Sequence, residues 1–470
     1  MQTSNSLLKR ARRTLIGSRA FYAMVLAIVV PIIVQNAITN FVNLLDNIMV
    51  GKIGTDQMAG VSIANQLLFV SNLCVFGGMS GAGIFAAQYH GAANPIGVQH
   101  CFRYKIWLSV ILTAVASLLF GIFGQSLISL YLNESDAAER IARTLGYGLE
   151  YLHLMLWGIP PFALSQAYAS TLRETGETAL PMRAAISGVL VNLVLNYILI
   201  YGKFGVPALG VRGAACATVI SRYIELAILV ATTHRHPEKF RFIPGAFRTL
   251  RIPIHLVRQI TVKGMPLLVN EALWSLGVAM LSRCYSLRGL DVVAALNISS
   301  TVSNLFNVVF LSMGNAISII IGQALGAREI DRAKNESWKL IAFSLFCCAI
   351  TAVLLCIASP FIPMIYNTEP QIRSLATQLL LVSAACMPLC SFTNSCYFIL
   401  RSGGKTVVTF MFDCVFSWVV SIPIAYALVQ FTGLHIVAAY LLVQLADLIK
   451  CIIGFILVKK GIWIHNIVVE

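Results

Sequence analysis

Asp46 lies in NFVNLLDNIMVGKIG, close to the end of the first long apolar segment of the chain. An ionisable side chain at membrane depth is costly, and such groups mark ion or substrate pathways. The same segment carries Gln35, Asn36, Thr39, Asn40 and Asn43. Positions 36, 40, 43 and 47 recur at helical spacing, as do 35, 39 and 46, so they share one broad polar face. That face should look at a cavity or at partner helices, because lipid offers its polar atoms nothing. Interhelical hydrogen bonding alone would also account for the asparagines.

A second group lies in NLVLNYILIYG, where Asn192 and Asn196 stand four residues apart, one above the other on a helix. Amide and carboxylate oxygens are hard ligands, so Asp46 with these two amides could hold a sodium ion. Asp46 could equally take up a proton. The residue types leave both open.

The later part of the chain has its own polar set. Glu271 lies in VKGMPLLVNEALWSLGVAM, downstream of Pro266, with Asn270, Trp274 and Ser275 beside it. A proline inside a helix frees backbone carbonyls and permits a kink. Trp274 could stack on an aromatic cation or simply pack. Asn297, Ser300, Asn304 and Asn307 form a stripe at helical spacing in the next segment. Asp413, in TFMFDCVFSW, could cap a helix end or take part in transport. Glu225, three residues after Arg222, reads as an in-helix partner, Asp447 as structural, and Arg173 and Arg401 as anchors of helix ends. Gln35, Asn36, Thr39, Asn43, Asn270, Trp274, Asn297, Asn304, Asn307 and Asp413 are therefore the expected lining of a substrate cavity.

The elements that must position these residues follow from composition. Of 470 residues, 58% are hydrophobic and 11% charged, and the mean hydropathy is +0.81. Soluble domains carry roughly 25% charged residues. Apolar runs long enough to span a bilayer recur along the whole chain, which defines an all-α integral membrane protein; a membrane barrel would alternate in segments of about ten residues. Twelve transmembrane helices are expected near 21–50, 57–88, 104–131, 141–170, 181–201, 210–233, 259–284, 292–322, 338–362, 372–398, 406–430 and 433–458.

The net charge of +15 does not imply nucleic-acid binding. Lys and Arg collect in alternate loops: before residue 20, between His234 and Lys263, after the eighth span, and at Lys459 and Lys460. The loop near 131–140 is acidic, with Glu134, Asp136 and Glu139. The positive-inside rule then puts both termini in the cytoplasm. The charged N-terminus precedes a run too long for a signal peptide. The twelve cysteines are scattered through apolar segments and read as small buried residues, with no zinc-like spacing.

The chain also repeats itself. GTDQMAGVSI, from Gly54, matches GLDVVAALNI, from Gly289, and the same offset of 235 carries Pro31 onto Pro266, Asn72 onto Asn307 and QYHGA onto QALGA. LRETGET, from Leu172, matches LRSGGKT, from Leu400, at an offset of 228, which also carries Pro160 onto Pro388. Two homologous six-helix bundles result, and an even number of spans per half makes them parallel repeats. The expected division is a tail at 1–20, bundles at 21–233 and 259–460, a basic cytoplasmic linker at 234–258 read as a solvated loop, and a tail at 461–470.

Five motifs together carry a family resemblance: PIIVQNAITNFVNLLDNIMVGKIG, AAQYHGA, LRETGETALPM, NLVLNYILIYG and LGVRGAACATVISR. The chain resembles the multidrug and toxic compound extrusion (MATE) family of secondary transporters over nearly its whole length. The resemblance implies two six-helix bundles around a V-shaped cavity, and export of amphipathic, often cationic compounds in exchange for sodium ions or protons. It implies a cation site at Asp46, Asn192, Asn196 and Thr218, the last a threonine of the sixth helix. Asn196 stands where some members have an aspartate. Glu271 looks like the seventh-helix glutamate that other members use, at a shorter spacing from its proline.

The expectation is thus a sodium- or proton-coupled antiporter for small molecules, working by alternating access as a monomer in a bacterial inner membrane, with no cofactor and no nucleic-acid partner. A lipid-linked precursor flippase, or a metabolite or peptide exporter of the same superfamily, is the alternative. An intramembrane enzyme is disfavoured, since no HExxH, no paired GxGD-type aspartates and no Ser/His pair appear. A channel is disfavoured by the lack of a Gly-rich filter segment.

Overall fold

In a bilayer every backbone amide must find its partner within the protein, so segments this apolar fold as helices. The computed structural model describes residues 15–132, 138–366 and 368–468, apart from the side chains of Asn43, Leu44, Asn47 and Leu290. Glu134 and Asp136 of the acidic loop lie outside that description. Helices α1 (Arg19–Gly51), α2 (Thr55–Gly91), α3 (Pro95–Ser129), α4 (Ala138–Leu156), α5 (Ile159–Glu174), α6 (Ala179–Tyr201) and α7 (Val211–Arg235) come first. Then follow α8 (Ile254–Ser286), α9 (Leu290–Gly326), α10 (Ile330–Ala358), α11 (Pro370–Ser402), α12 (Thr406–Phe410), α13 (Ile422–Phe431), α14 (Ile436–Leu445) and α15 (Asp447–Lys459). No strand occurs among the described residues.

Eleven helical stretches among the described residues are long and apolar enough to cross a membrane. The predicted span at 141–170 is instead two helices, α4 and α5, parted at Trp157 and Gly158. Pro160 and Pro161 sit in the first turn of α5, where a missing N–H costs nothing; placed mid-helix they would break it. Three other helices run on through an internal proline: α1 at Pro31, α8 at Pro266 and α11 at Pro388. Between α12 and α13 the backbone widens into two π-helical segments, Met411–Val415 and Ser417–Ser421. Such bulges are rare and often accompany functional side chains. Here the first one carries Asp413.

The repeat is visible in the helix starts. Arg19 and Ile254, Thr55 and Leu290, and Pro95 and Ile330 all obey the 235-residue offset.

The chain divides into two compact units. One comprises the described residues through Ile33, Ala87–Ala93 and those from Met265 onward; the other comprises Val34–Ala86 and Asn94–Gly264. The first is cored by Val25, Val29, Ile317, Ile321, Leu340 and Leu400, the second by Ala64, Ile128, Leu152, Met155 and Ala215.

The linker is packed, which corrects the solvated loop expected from its charge. Phe240, Phe242, Ile243 and Ala246 are buried. Arg103 Nε donates to the Ala246 carbonyl at 2.8 Å, and its Nη2 to that of Gly245 at 2.8 Å. Gln99 Nε2 donates to the Pro244 carbonyl at 2.6 Å, and Trp107 Nε1 to that of Leu250 at 3.1 Å. The segment after α15 is also docked. Trp463 is buried, Gln88 Nε2 donates to the Ser402 carbonyl at 2.9 Å, and Gln88 Oε1 accepts from Ile467 N at 2.9 Å.

Candidate functional site

Asp46 meets the α6 amides directly. Asn196 Nδ2 donates to Asp46 Oδ1 at 2.6 Å, and Asn196 and Asn192 are both buried. The Asn192 amide fits with either end toward the carboxylate. Turned nitrogen-first, it donates to the two Asp46 oxygens at 3.0 and 3.1 Å and accepts from Thr218 Oγ1 at 3.2 Å. Turned oxygen-first, it accepts from Asn196 Nδ2 at 3.0 Å and donates to Thr218 Oγ1 at 3.2 Å. In the second orientation three oxygens converge, an arrangement that a cation would reconcile. Asn196 Oδ1 is buried with no hydrogen-bond partner among the described residues. Buried orphan acceptors are rare, and a missing ion is one reason for them.

Local geometry explains why these four residues meet. Asn192 and Asn196 are one turn apart on α6, and Thr218 faces them from α7, where its hydroxyl also donates to the Ala214 carbonyl at 3.0 Å. The α6–α7 turn is tight: Gly202 ends α6 in the left-handed region at φ +66°, and Ala208 packs against it at 2.6 Å from where a Cβ would stand.

Asp46 is without an ion-pair partner within 4.0 Å among the described residues. The nearby cation on α7 is engaged elsewhere: Arg222 Nη1 donates to the Gly158 carbonyl at 3.0 Å, and its guanidinium lies 4.9 Å from the Phe162 ring centroid. The Arg222–Glu225 pair expected from their spacing is not a direct contact; their charges act on each other only at longer range.

The other unit gathers a different set. Asp413 Oδ2 accepts from Asn270 Nδ2 at 3.2 Å, and Asp413 Oδ1 pairs with Lys450 Nζ at 2.6 Å. Asn270 Nδ2 also reaches the Tyr397 hydroxyl at 3.5 Å. Glu271 is half-buried and feels the charges of Arg401 and Asp413. The helix-end anchor expected at Arg401 is itself buried, 5.2 Å over the Phe398 ring.

The remaining predicted cavity residues are more dispersed. Gln35 is buried, Asn36 is half-buried, and Thr39 donates to the Gln35 carbonyl at 2.9 Å. The Asn43 side chain lies outside the described residues. Trp274, Asn297 and Asn304 are exposed within their own unit, and Asn307 is half-buried. Gln35 and Asn270 are equivalent at the 235-residue offset, and both keep a buried oxygen with no hydrogen-bond partner among the described residues.

Three groups escaped the sequence reading. Lys450 was visible as the single base in VAAYLLVQLADLIKCIIGFILV, but nothing in the sequence ties it to Asp413. Lys105 is fully buried on α3 and pairs with Glu174 at 2.5 Å. Tyr397 looked like one aromatic among many.

Comparison with known proteins supplies the wider setting. The family model described as MatE matches residues 31–198 and 266–427. These ranges contain Asp46, Asn192, Asn196, Glu271 and Asp413; Thr218 and Lys450 fall outside them. A probable multidrug resistance protein NorM of Pasteurella multocida is 28% identical over 414 residues, covering 86% of each chain. The multidrug resistance protein MdtK of Pectobacterium atrosepticum is 26% identical over 406 residues, again 86% of each. Among solved structures, a MATE protein in complex with MaL6 superposes with a TM-score of 0.83 at 18% identity, over 93% of this chain and 96% of that one. An outward-facing MATE transporter of the MOP superfamily gives 0.82 at 18% identity, over 93% and 95%. At these identities the structural likeness speaks for the fold.

Proposed function

The chain belongs to the MatE family of integral membrane transporters, and on that footing we propose that it is a cation-coupled antiporter. It exports amphipathic, often cationic small organic compounds by alternating access, in exchange for sodium ions or protons. It works as a monomer in the inner membrane, with both termini on the cytoplasmic side. Relatives named as multidrug resistance proteins support the substrate class.

The observation that carries the coupling site is the Asp46–Asn192–Asn196–Thr218 cluster. It is a half-buried carboxylate without a cation partner among the described residues, set against the buried amides of Asn192 and Asn196. Sodium would be held by Asp46, the Asn192 and Asn196 side-chain oxygens, and Thr218 Oγ1; a proton would sit on Asp46 itself. The Asn192 amide supports either occupancy. Its nitrogen satisfies the bare carboxylate, and its oxygen joins the ligand set when a cation arrives. The cation favours one facing state and substrate the other, and each shifts the balance only by its differential affinity.

The test is ethidium efflux in proteoliposomes under an imposed sodium or pH gradient, comparing wild type with Asp46→Asn and Glu271→Gln. Collapse in Asp46→Asn supports the assignment, and the gradient that drives efflux names the ion. Collapse in Glu271→Gln alone moves coupling to the other unit. Failure of wild type under both gradients removes ethidium as substrate and favours the flippase reading.

A further inference from the structure

Each half of the repeat has its own membrane-depth carboxylates, but they do not occupy equivalent places. At the 235-residue offset Asp46 corresponds to Leu281, and Glu271 to Asn36. The helices that close the two halves differ more pointedly. Eleven and fourteen residues after Val211, which opens α7, stand Arg222 and Glu225; at the same distances after Ile436, which opens α14, stand Asp447 and Lys450. Counted from the helix start the order of base and acid is reversed, while at the 228-residue offset Lys450 falls on Arg222, a base on a base.

In the second half the base of this helix pairs with Asp413. Lys450 Nζ stands 2.6 Å from Asp413 Oδ1, and Asn270 Nδ2 takes the other oxygen at 3.2 Å. The ammonium is also caged by two rings, 5.4 Å from the Phe412 centroid and 6.0 Å from that of Phe416. The π-helical segment Met411–Val415 carries both Asp413 and Phe412. Lys450 further feels Asp447, one turn before it on α15, while Arg401 acts on Glu271. Asn270 keeps its buried oxygen unpartnered among the described residues. Carboxylates, an amide oxygen and a buried position are what a hard cation seeks. Here a side-chain ammonium already takes one oxygen of Asp413.

We propose that Lys450 is a tethered cation that occupies the second unit's ion site, so that Asp413 takes no free ion and only the Asp46 cluster exchanges one. This rests on the reading of Asp46 as the coupling site. Its own content is that a latent sodium site lies at Asp413, Asp447 and Asn270 Oδ1, and that removing Lys450 opens it.

The experiment is equilibrium binding of radioactive sodium to the purified full-length protein in detergent. The variants are Lys450→Met, Lys450→Met with Asp413→Asn, and Asp46→Asn, each checked for monodisperse elution. The expected result is that Lys450→Met binds one sodium ion more than wild type, and that Asp413→Asn abolishes this gain. A folded Lys450→Met that binds no more sodium than wild type overturns the proposal. If Lys450→Met does not fold, Lys450→Gln, which still offers Asp413 a hydrogen bond, serves the same purpose. Asp413→Asn alone is a further check: it should leave wild-type sodium binding undiminished, and its loss would show the free ion at Asp413 and overturn the proposal. Asp46→Asn reports separately. If wild type binds sodium, Asp46→Asn does not lower that binding, and the Lys450→Met gain still appears, then the assignment of the ion to Asp46 fails while the tethered cation stands.

Discussion

Gly91 and Gly326 hold equivalent places in the two repeats, and each lies against the glutamine of the other. A Cβ on Gly91 would fall 1.9 Å from the Gln323 carbonyl oxygen, and one on Gly326 would fall 1.9 Å from that of Gln88. The obstacle is backbone in both cases, so no side chain can swing away. Gly91→Ala and Gly326→Ala should each destabilise the protein by at least the roughly 1–3 kcal/mol of an overpacked core. Gly121→Ala, with open space around it, should melt like wild type or slightly higher. Thermal melting in detergent checks this, and equal melting temperatures for Gly91→Ala and Gly121→Ala would refute the crossing.

Asn196 predicts the strength of the proposed cation site. Its Nδ2 donates to Asp46 Oδ1 at 2.6 Å, so an aspartate there would place two carboxylates in direct contact. Neighbouring carboxylates do not both ionise without a compensating positive charge. Asn196→Asp should raise the apparent affinity for the coupling cation by roughly tenfold or more, the scale of one hydrogen bond to a charged group. Efflux rates measured against cation concentration should show the half-saturation point falling. An unchanged or rising value would mean that Asn196 does not border the ion.

Much of this was legible in the sequence. The 235-residue offset foretold helices that begin in register, and helical spacing put Asn192 and Asn196 on one face. What hydropathy could not convey was interruption. The span at 141–170 is apolar enough to read as continuous, although Pro160 and Pro161 mark its break. The π-helical turns around Asp413 left no trace, because nothing in TFMFDCVFSW forbids an ordinary helix. Charge also misled: the basic residues of 234–258 masked FRFIPGAF, whose Phe240, Phe242, Ile243 and Ala246 are buried. The Asp413–Lys450 pair spans two helices, and no period within either one reports a contact between them.

The docked linker makes a prediction through Arg103. Three of its nitrogens reach backbone carbonyls of the linker, at Ala246, Gly245 and Arg251. Arg103→Ala would leave those carbonyls without their donor, while the Phe102 contact with Phe242, 5.4 Å between centroids, would remain. Trypsin should then cut after Arg248 or Arg251 faster than in wild type, with little change in the melting temperature of the helices. Identical digestion kinetics would mean that the apolar contacts and the Gln99 and Trp107 hydrogen bonds hold the segment without Arg103.

Lys105 and Glu174 invite a double substitution taken from the protein's own second half. Lys105 is fully buried, and its ammonium satisfies all three hydrogens: Ser170 Oγ at 2.9 Å, Thr171 Oγ1 at 3.2 Å and Glu174 Oε2 at 2.5 Å. At the repeat offsets the corresponding residues are Leu340 and Ser402, both buried, so the second half closes the same place without charge. Removing one partner of a buried pair strands the other and costs about 3–5 kcal/mol, whereas replacing both with packed neutral groups is often neutral. Lys105→Leu alone should therefore melt well below wild type, and Lys105→Leu with Glu174→Ser should recover most of the loss. A double variant no more stable than the single one would mean that Lys105 is retained for its charge, and that the first half differs from the second here by function and not by packing.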